Sequence, residues 1–285
     1  MNAECLPPGL YIVATPIGNL GDLSPRAADT LRRAALVLAE DKRVTAKLLK
    51  HAGAKTKLAN YSDHTSEADR DTIVARLGEE AIALVSDAGT PLISDPGYKL
   101  VRAAREAGHS VHTVPGPSAV IAALTLAGLP TDRFLFAGFL PPRQSARRTR
   151  LAELKAVPAT LVFFEAPSRL ADSLADIAGV LGEREAAVAR ELTKLHEEVR
   201  RGPVADLVQW ANETGPKGEV VVLVGPAAAE VATDAVIIAR LEPLLAEMSL
   251  SDASRSVAEE LGVPKGRAYA LGIAMKRGSD DPSGC

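Results

Sequence analysis

The chain has 285 residues, which is long enough for two domains and a small appendage. Hydrophobic residues make up 47% of the sequence and charged residues 24%, a balance that supports packed cores and excludes a disordered chain. The net charge is −3, so a polyanionic partner must meet a local basic patch rather than an attractive overall field.

Cysteine usage and the ends of the sequence bear on location. Cys5 and Cys285 are the two cysteines, and their separation excludes a disulfide framework and a cysteine zinc cluster. The first residues lack the basic and apolar regions of a signal peptide, and no apolar run reaches about 18 residues. We therefore expect a cytoplasmic protein with no membrane span, and the scattered histidines predict no metal site.

Over most of the sequence, short β-branched runs alternate with alanine-rich amphipathic stretches, which is the pattern of βα units and a mainly parallel sheet. Strands are predicted over residues 10–15, 36–39, 81–86 and 111–114. Ser24 and Pro25 predict a helix start, because serine caps helices and proline suits the first helical position. Another helix opens at Ser118 and stops at residues 128–130, which predicts a domain boundary near residue 130.

A second α/β segment and a helical tail follow. The strands of this segment are predicted over residues 134–137, 160–164, 186–190 and 220–224. Its helices are predicted near residues 145–155, 168–181 and 203–212. A linker is predicted over 225–229, tail helices over 234–248, 251–261 and 264–275, and a disordered end over 278–285. The expected domains are an N-terminal α/β domain over 1–130, a second α/β domain over 131–226 and a small helix-turn-helix-like domain over 234–277.

Three loops rich in glycine and proline follow predicted strands, over residues 15–22, 86–97 and 115–119. Ligands bind parallel α/β sheets just beyond the carboxyl ends of the strands, so these loops are expected to converge on one crevice. The second loop carries carboxylates and hydroxyls that can bind a ribose or an amino group. Each loop could instead simply end its strand. No dinucleotide or P-loop fingerprint is present, which weakens those two interpretations.

Seven segments carry a family resemblance, in this order: TPIGNLGDLSPRA, SDAGTPLISDPG, VPGPSAVIAAL, GFLPPR, FFEAPSRL, ARELTKLHEEV and KGEVVVLVG. They resemble the tetrapyrrole-methylase-type methyltransferases, and among these the branch that methylates a cytidine ribose 2′-hydroxyl in small-subunit ribosomal RNA. The resemblance covers about residues 9–226. It implies two α/β domains with S-adenosylmethionine in the cleft between them, a small C-terminal helical domain and a homodimer. The tetrapyrrole-acting members carry a Gly-Asp-Pro type loop where this chain has Ser-Asp-Ala-Gly, which favours the RNA branch.

The same resemblance implies which residues bind the cofactor. The second loop would form the centre of the site, and segments of the second domain would close over the adenosine. The implied cofactor-binding residues are Pro16, Gly18, Asp87, Ala88, Gly89, Thr90, Ser118, Ala119, Phe164, Glu165, Leu192, Thr193, Gly218 and Glu219.

A ribose hydroxyl is a weak nucleophile, so a positioned base would assist methyl transfer. Asp22 and Glu165 are candidate bases, and Asn19 could orient the hydroxyl. Equally, Asp22 could cap the next helix and Glu165 could only hold the cofactor. No metal is needed, because much of the rate can come from positioning.

RNA binding requires cations despite the net negative charge. The candidates are Arg43, Arg143, Arg147, Arg148, Arg150, Arg169, Lys194, Lys265 and Arg267. The cluster over residues 143–150 could equally be a solvated helix face, and Arg169 could pair with Glu165 at helical spacing. Three functions stay open: a small-subunit ribosomal RNA methyltransferase, a C-methyltransferase of tetrapyrrole biosynthesis, and a non-catalytic nucleic-acid-binding regulator.

Overall fold

The computed structural model of the protein describes residues 6–227 and 233–279. The chain divides into two compact units between residues 227 and 228. Some predictions lie outside the described residues. They are those for residues 1–5, for residues 228–229 of the expected linker, and for residues 280–285 of the expected disordered end, which include Cys285.

The first sheet of the larger unit is entirely parallel. Its strands are β1 (Gly9–Val13), β2 (Leu36–Ala39), β3 (Lys57–Asn60), β4 (Ala81–Leu84) and β5 (Val111–Val114). The helices of this half are α1 (Pro25–Arg33), α2 (Lys42–Ala52), α3 (Glu67–Arg76), α4 (Tyr98–Glu106) and α5 (Ala119–Ala127). The strand order is β3-β2-β4-β1-β5, so the carboxyl ends of β4, β1 and β5 lie side by side. The three glycine- and proline-rich loops leave the sheet from these three ends.

The start of α1 confirms the predicted cap. The Ser24 Oγ accepts a hydrogen bond from the Ala27 amide at 3.1 Å, and Pro25 occupies the first turn of the helix. This serine satisfies one of the amide groups that the helix leaves without an internal partner.

The second sheet is mixed. Its strands are β6 (Phe134–Phe139), β7 (Thr160–Glu165), β8 (Glu185–Arg190), β9 (Glu198–Pro203) and β10 (Val220–Val224). Its helices are α6 (Gln144–Leu154), α7 (Leu170–Leu181) and α8 (Val204–Thr214). The order is β6-β7-β10-β8-β9, and β6 and β7 are parallel whereas the other pairs are antiparallel. The expectation of a mainly parallel sheet is therefore wrong here. One cause is the direct β8–β9 connection over residues 191–197, because a parallel crossover takes about a dozen residues or more.

Helix α5 comes from the first half of the chain but packs on the second sheet. Its residues Val120, Ala123 and Leu124 are at most 5% exposed and share one apolar cluster with Val162 of β7 and Leu223 of β10. The two sheets therefore share buried surface within the larger unit. The division of this unit into domains at residue 130 stays a prediction.

The smaller unit is a three-helix structure of α9 (Asp234–Glu247), α10 (Leu250–Leu261) and α11 (Lys265–Ser279). Its core contains Ile237, Leu241 and Val257, all fully buried. Gly262 ends α10 with φ +64°, in the left-handed region that glycine adopts without strain. Residues 278 and 279, expected to be disordered, continue α11. In the described part of the chain no helix combines the length and apolarity needed to cross a membrane.

A buried ion pair joins α6 to α7. The Arg147 Nε donates to the Asp176 Oδ2 at 2.7 Å, and the two side chains are 4% and 3% exposed. Gln144 donates to the other carboxylate oxygen at 3.2 Å, and Arg148 reaches the same oxygen from the solvent side, with its side chain 54% exposed. The structure therefore places Arg147 in the core, where its charge is neutralised, and not on the RNA-facing surface that the sequence predicts.

We expect Arg147→Ala to lower the free energy of unfolding by about 3–5 kcal/mol, because it leaves the Asp176 carboxylate buried without its main partner. The matched control is Arg148→Ala, which removes an exposed partner of the same carboxylate and should cost at most about 1 kcal/mol. Equilibrium urea unfolding measures both. Equal losses for the two variants would contradict the assignment of Arg147 to the core.

Candidate functional site

A cavity of about 340 Å³, called the first cavity here, is lined by loops from both sheets. The first sheet contributes the loops after β1, β4 and β5, which the sequence predicts to converge. Two of these loops are joined directly: Thr15 and Gly89 exchange backbone hydrogen bonds of 2.8 and 3.1 Å. The second sheet contributes the end of β7, the β8–β9 loop and the start of β10. The first cavity lies within the size range of small-molecule sites.

Most of the predicted cofactor residues line the first cavity. They are Ala88, Gly89, Thr90, Ser118, Ala119, Phe164, Glu165, Leu192, Gly218 and Glu219. Pro16, Gly18 and Asp87 line a neighbouring cavity of about 320 Å³, the second cavity. Thr193 is not among the lining residues of either; its amide donates to a carboxylate oxygen of Glu197 at 2.6 Å.

The two cavities share the lining residues Ile17, Ala88 and Glu219. The second cavity lies between the loop after β1, helix α2 and the first residues of the loop after β4. A molecule in one cavity therefore borders a molecule in the other.

Aromatic rings form part of the first cavity. Phe164 lies edge-to-face with Phe139 at 5.6 Å between ring centroids and with Phe136 at 4.8 Å. Phe139 and Phe164 both line the cavity, and Phe139 is 55% exposed. Such rings offer a flat apolar surface to a planar ligand ring. Phe139 is not among the predicted site residues, although it lies in the GFLPPR segment that carries part of the family resemblance.

Backbone strain is concentrated in the loops around the cavities. Among the described residues, the non-glycine residues with φ in the left-handed region are Leu92, Ser94, Glu191 and Thr193. The first two lie in the loop after β4 and the other two in the β8–β9 loop. Strained residues persist where surrounding contacts fix them, and they cluster at functional sites.

Glu191 fixes the wall that the second sheet contributes. Its Oε1 accepts hydrogen bonds from the Glu219 amide at 3.0 Å and from Lys194 Nζ at 2.9 Å. The Lys194 hydrogen bond, with help from the Glu219 amide, lowers the pKa of Glu191. Its side chain packs against Gly218, where φ is +92° and a side chain would collide with it. The carboxylate thus holds the β8–β9 loop and the start of β10 in one arrangement.

A carboxylate cluster lies at the other wall. Burial raises the pKa of Asp95 to about 6; the Ser86 hydroxyl opposes this shift, and the carboxylates of Glu40 and Asp87 add to it. Burial, together with Asp87 and Asp63, also raises the pKa of Glu40. Asp95 lines the first cavity, which therefore has a negative edge suited to a cationic ligand. The sequence places Asp95 in the second glycine- and proline-rich loop but does not distinguish it from its neighbours, because its raised pKa arises from burial.

The predicted catalytic residues are placed differently from one another. Glu165 lines the first cavity, but its carboxylate accepts from the Ala166 amide at 2.7 Å and from Ser173 Oγ at 2.6 Å, and it pairs with Arg169 at 2.6 Å. Asn19 caps the 3-10 turn at Leu20–Asp22, its Oδ1 accepting from the Gly21 amide at 2.9 Å. Neither Asn19 nor Asp22 is among the lining residues of the two cavities.

Most predicted RNA contacts already have partners. Ion pairs join Arg43 to Asp41, Arg148 to Asp176, Arg150 to Glu153, Arg169 to Glu165, Lys194 to Glu191 and Glu219, and Arg267 to Asp234. Lys265 donates to Ser251 at 3.2 Å. Arg143 is exposed, and within residues 6–227 and 233–279 it has no ion pair. The same described residues contain no cluster of three or more metal-ligating side chains.

The sequence model of the family described as "Tetrapyrrole (Corrin/Porphyrin) Methylases" matches residues 9–208. The chain belongs to the tetrapyrrole methylase family. A second model, described as "RsmI C-terminal HTH domain", matches residues 231–276 of this methylase. The resemblance inferred from the seven segments is therefore confirmed.

Curated relatives of this methylase share the name "Ribosomal RNA small subunit methyltransferase I". The protein of Mesorhizobium japonicum is 49% identical, covering 99% of this chain and 97% of its own length. The protein of Erythrobacter litoralis is 53% identical, and the match covers 96% of this chain and 98% of the relative. The protein of Escherichia coli O157:H7 is 48% identical, and the match covers 94% of this chain and 95% of the relative. The methylase therefore belongs to this branch of the family.

Solved structures share the fold of the methylase. A uroporphyrin-III-C-methyltransferase from Thermus thermophilus has a TM-score of 0.54 and 25% identity over 76% of this chain and 93% of its own. A diphthine synthase has a TM-score of 0.60, and the match covers 76% of this chain and 89% of the diphthine synthase. The sequence identity is 15%, so this similarity concerns the fold alone.

Asp95 provides a pH-dependent test of the site geometry. Its raised pKa means that the folded methylase holds this proton more tightly than the unfolded chain, so stability falls as pH rises between about 4 and 6. We expect Asp95→Asn to raise the melting temperature more at about pH 7.5 than at about pH 4. Thermal unfolding followed by circular dichroism at the two pH values measures this difference. An equal gain at both would show that Asp95 is not in the environment described.

Proposed function

We propose that this methylase transfers a methyl group from S-adenosylmethionine to the ribose 2′-hydroxyl of a cytidine in small-subunit ribosomal RNA. The observation that carries the proposal is the first cavity, whose lining contains most of the residues that the seven-segment resemblance implies for the cofactor. The names of the curated relatives support the RNA substrate. We also propose a cytoplasmic homodimer, on the family resemblance alone.

The first cavity suits the donor chemically. When bound, S-adenosylmethionine supplies an electrophilic methyl group on a positively charged sulfur. Asp95 and its neighbours Asp87 and Glu40 would favour this cation electrostatically. Phe164 and Phe139 would lie against the adenine, and the backbone at Gly218 and Ser118 would approach the ligand closely.

The proposed base is Asp95. A general base works best when its pKa lies near the operating pH, and the pKa of Asp95 is raised to about 6. Asp95 lines the first cavity, which shares three lining residues with the second. Glu165, in contrast, already holds three partners, so we assign it the role of fixing the loop after β7. Asn19 and Asp22 would then shape the loop after β1 rather than touch the reacting atoms.

RNA binding would use cations that exchange a carboxylate partner for a phosphate. Arg43, Arg148 and Arg150 are exposed enough for this exchange, since their side chains are 90%, 54% and 45% exposed. Arg143 can bind a phosphate without first losing an ion pair. Lys265 and Arg267 would serve the same purpose in the helical unit, whose sequence matches a helix-turn-helix domain.

Methyl transfer to RNA is tested with small ribosomal subunits that lack the modification. The protein and methyl-labelled S-adenosylmethionine should place label on a cytidine ribose, which nucleoside analysis of the digested RNA identifies. The rate should rise with pH through about pH 6, and Asp95→Asn should abolish this rise. Label on an added tetrapyrrole instead would favour the C-methyltransferase, and cofactor binding without any labelled product would favour the non-catalytic regulator.

Gly89 tests the cofactor loop. A Cβ at Gly89 would lie 3.3 Å from Ile17 Cγ2, and its φ of +80° strains any larger residue. The matched control is Gly108, with φ +78° and no atom within 4 Å of an added Cβ. Both alanine variants incur the left-handed strain, about 1–2 kcal/mol. Calorimetry should show that Gly89→Ala weakens S-adenosylmethionine binding by about tenfold or more, a change of about 1.4 kcal/mol. Gly108→Ala should bind normally, and equal affinities would remove the loop assignment.

A further inference from the structure

The second cavity borders the first cavity, and its lining includes part of the residue set that the resemblance implies for the cofactor. Its lining includes Pro16 and Gly18 of the loop after β1, Thr45 and Lys47 of α2, and Asp87. At about 320 Å³ it nearly equals the first cavity in volume, and Ile17, Ala88 and Glu219 line both. A methyl acceptor held here would face a donor held in the first cavity across these shared residues.

Thr45 carries a buried hydroxyl without a partner. The residue is 1% exposed, and its Oγ1 makes no hydrogen bond in the described structure. Threonines in neighbouring helices behave otherwise: Thr30 and Thr72 donate to the carbonyl four residues earlier at 2.8 and 2.9 Å. Thr15, which also lines the second cavity, donates to the Ser86 carbonyl at 3.2 Å. A buried polar group without a partner is unusual. The Thr45 Oγ1 has almost no accessible surface, so a ligand in the second cavity supplies the missing hydrogen bond only after the side chain rotates about χ1.

The rest of the lining supplies a cation and apolar surface. Lys47 is exposed, and no ion pair engages it within the described residues. Leu20 and Val44 are 45% and 40% exposed, an exposure that leaves apolar surface at the cavity free for a planar group. Lys194 is held by Glu191 and Glu219 and closes the side toward the second sheet. A hydrogen-bonding hydroxyl, apolar side chains and a free ammonium group together match a base, a sugar and a phosphate.

We propose that the second cavity binds the target nucleotide of the RNA, extruded from its neighbours, with its base at Thr45 and its phosphate at Lys47. This inference rests on the proposed function, because it takes the acceptor to be a ribose. The 2′-oxygen must come within about 3–3.5 Å of the methyl carbon, and a nucleotide stacked in a helix cannot enter a cavity of this kind. Single-stranded RNA segments can extrude their bases, and a base edge offers both donors and acceptors to a threonine hydroxyl.

Thr45→Val and Thr45→Ser test the base contact. Valine keeps the shape and removes the hydroxyl, so the KM for unmodified small subunits should rise about fivefold to tenfold, as for one lost neutral hydrogen bond. Serine keeps the hydroxyl and should restore the KM. Neither variant should change the Kd of S-adenosylmethionine by calorimetry. The melting temperature of Thr45→Val should not fall, because the replaced hydroxyl has no partner in the protein.

Lys47→Ala tests the phosphate contact against Lys50→Ala, an exposed lysine on the same helix that does not line the cavity. Binding of small subunits is measured over a range of salt concentrations. Loss of one phosphate contact should reduce the slope of log affinity against log salt by about 0.7, the value for a single strand. Lys50→Ala should keep the wild-type slope.

The outcomes separate this inference from the proposed function. Wild-type protein that labels no RNA would overturn both. If the wild-type protein labels RNA but Thr45→Val leaves the KM unchanged, the nucleotide site is overturned and the proposed function is intact. The same conclusion follows if Lys47→Ala and Lys50→Ala have identical salt slopes. A rise in KM that Thr45→Ser fails to reverse would show that the defect is structural, and it too would overturn the site.

Discussion

The packing of α5 on the second sheet is the contact on which both cavities depend. The helix is covalently part of the first half of the chain, yet its apolar residues are buried against β7, β8 and β10. Its first residue, Ala119, and the preceding Ser118 line the first cavity. Each sheet alone offers only a set of loops at one edge. Because α5 fixes one sheet against the other, loops distant in sequence enclose a volume that neither sheet could form by itself.

Once the sheets are fixed, the loops can hold conformations that short peptides avoid. Leu92 and Ser94 have left-handed backbone on one side of the first cavity, and Glu191 and Thr193 have it on the other. Each such residue costs of order 1–3 kcal/mol, so the surrounding contacts must offset it. The Glu191 carboxylate provides several of these contacts through the Glu219 amide and Lys194. The site is therefore organised before a ligand arrives, which reduces the ordering that binding requires.

The sequence predicted those features that depend on local pattern. Central strands such as Leu36–Ala39 and Val220–Val224 are apolar runs buried throughout, and their predicted bounds match the structure. The edge strands Lys57–Asn60 and Glu198–Pro203 are polar and partly exposed, so they lack the apolar pattern and were missed, as were helices α2, α3 and α4. Burial that depends on distant partners was also missed: Arg147 is buried through Asp176, 29 residues away. The loops could be placed at one edge from strand order, but Asp95 and Thr45 become distinctive only through their burial.

The distribution of charge divides the site into two parts. Carboxylates lie at the first cavity, where they would attract a positively charged sulfonium donor more than the neutral thioether product. This difference would favour exchange of the spent cofactor. The acceptor side has the opposite need, because each phosphate must be neutralised. Most of the predicted RNA-binding cations are already in ion pairs, so phosphate binding there exchanges one partner for another and gains little. Unpaired groups such as Lys47 and Arg143 keep their full attraction, and their positions would determine where the RNA is held most firmly.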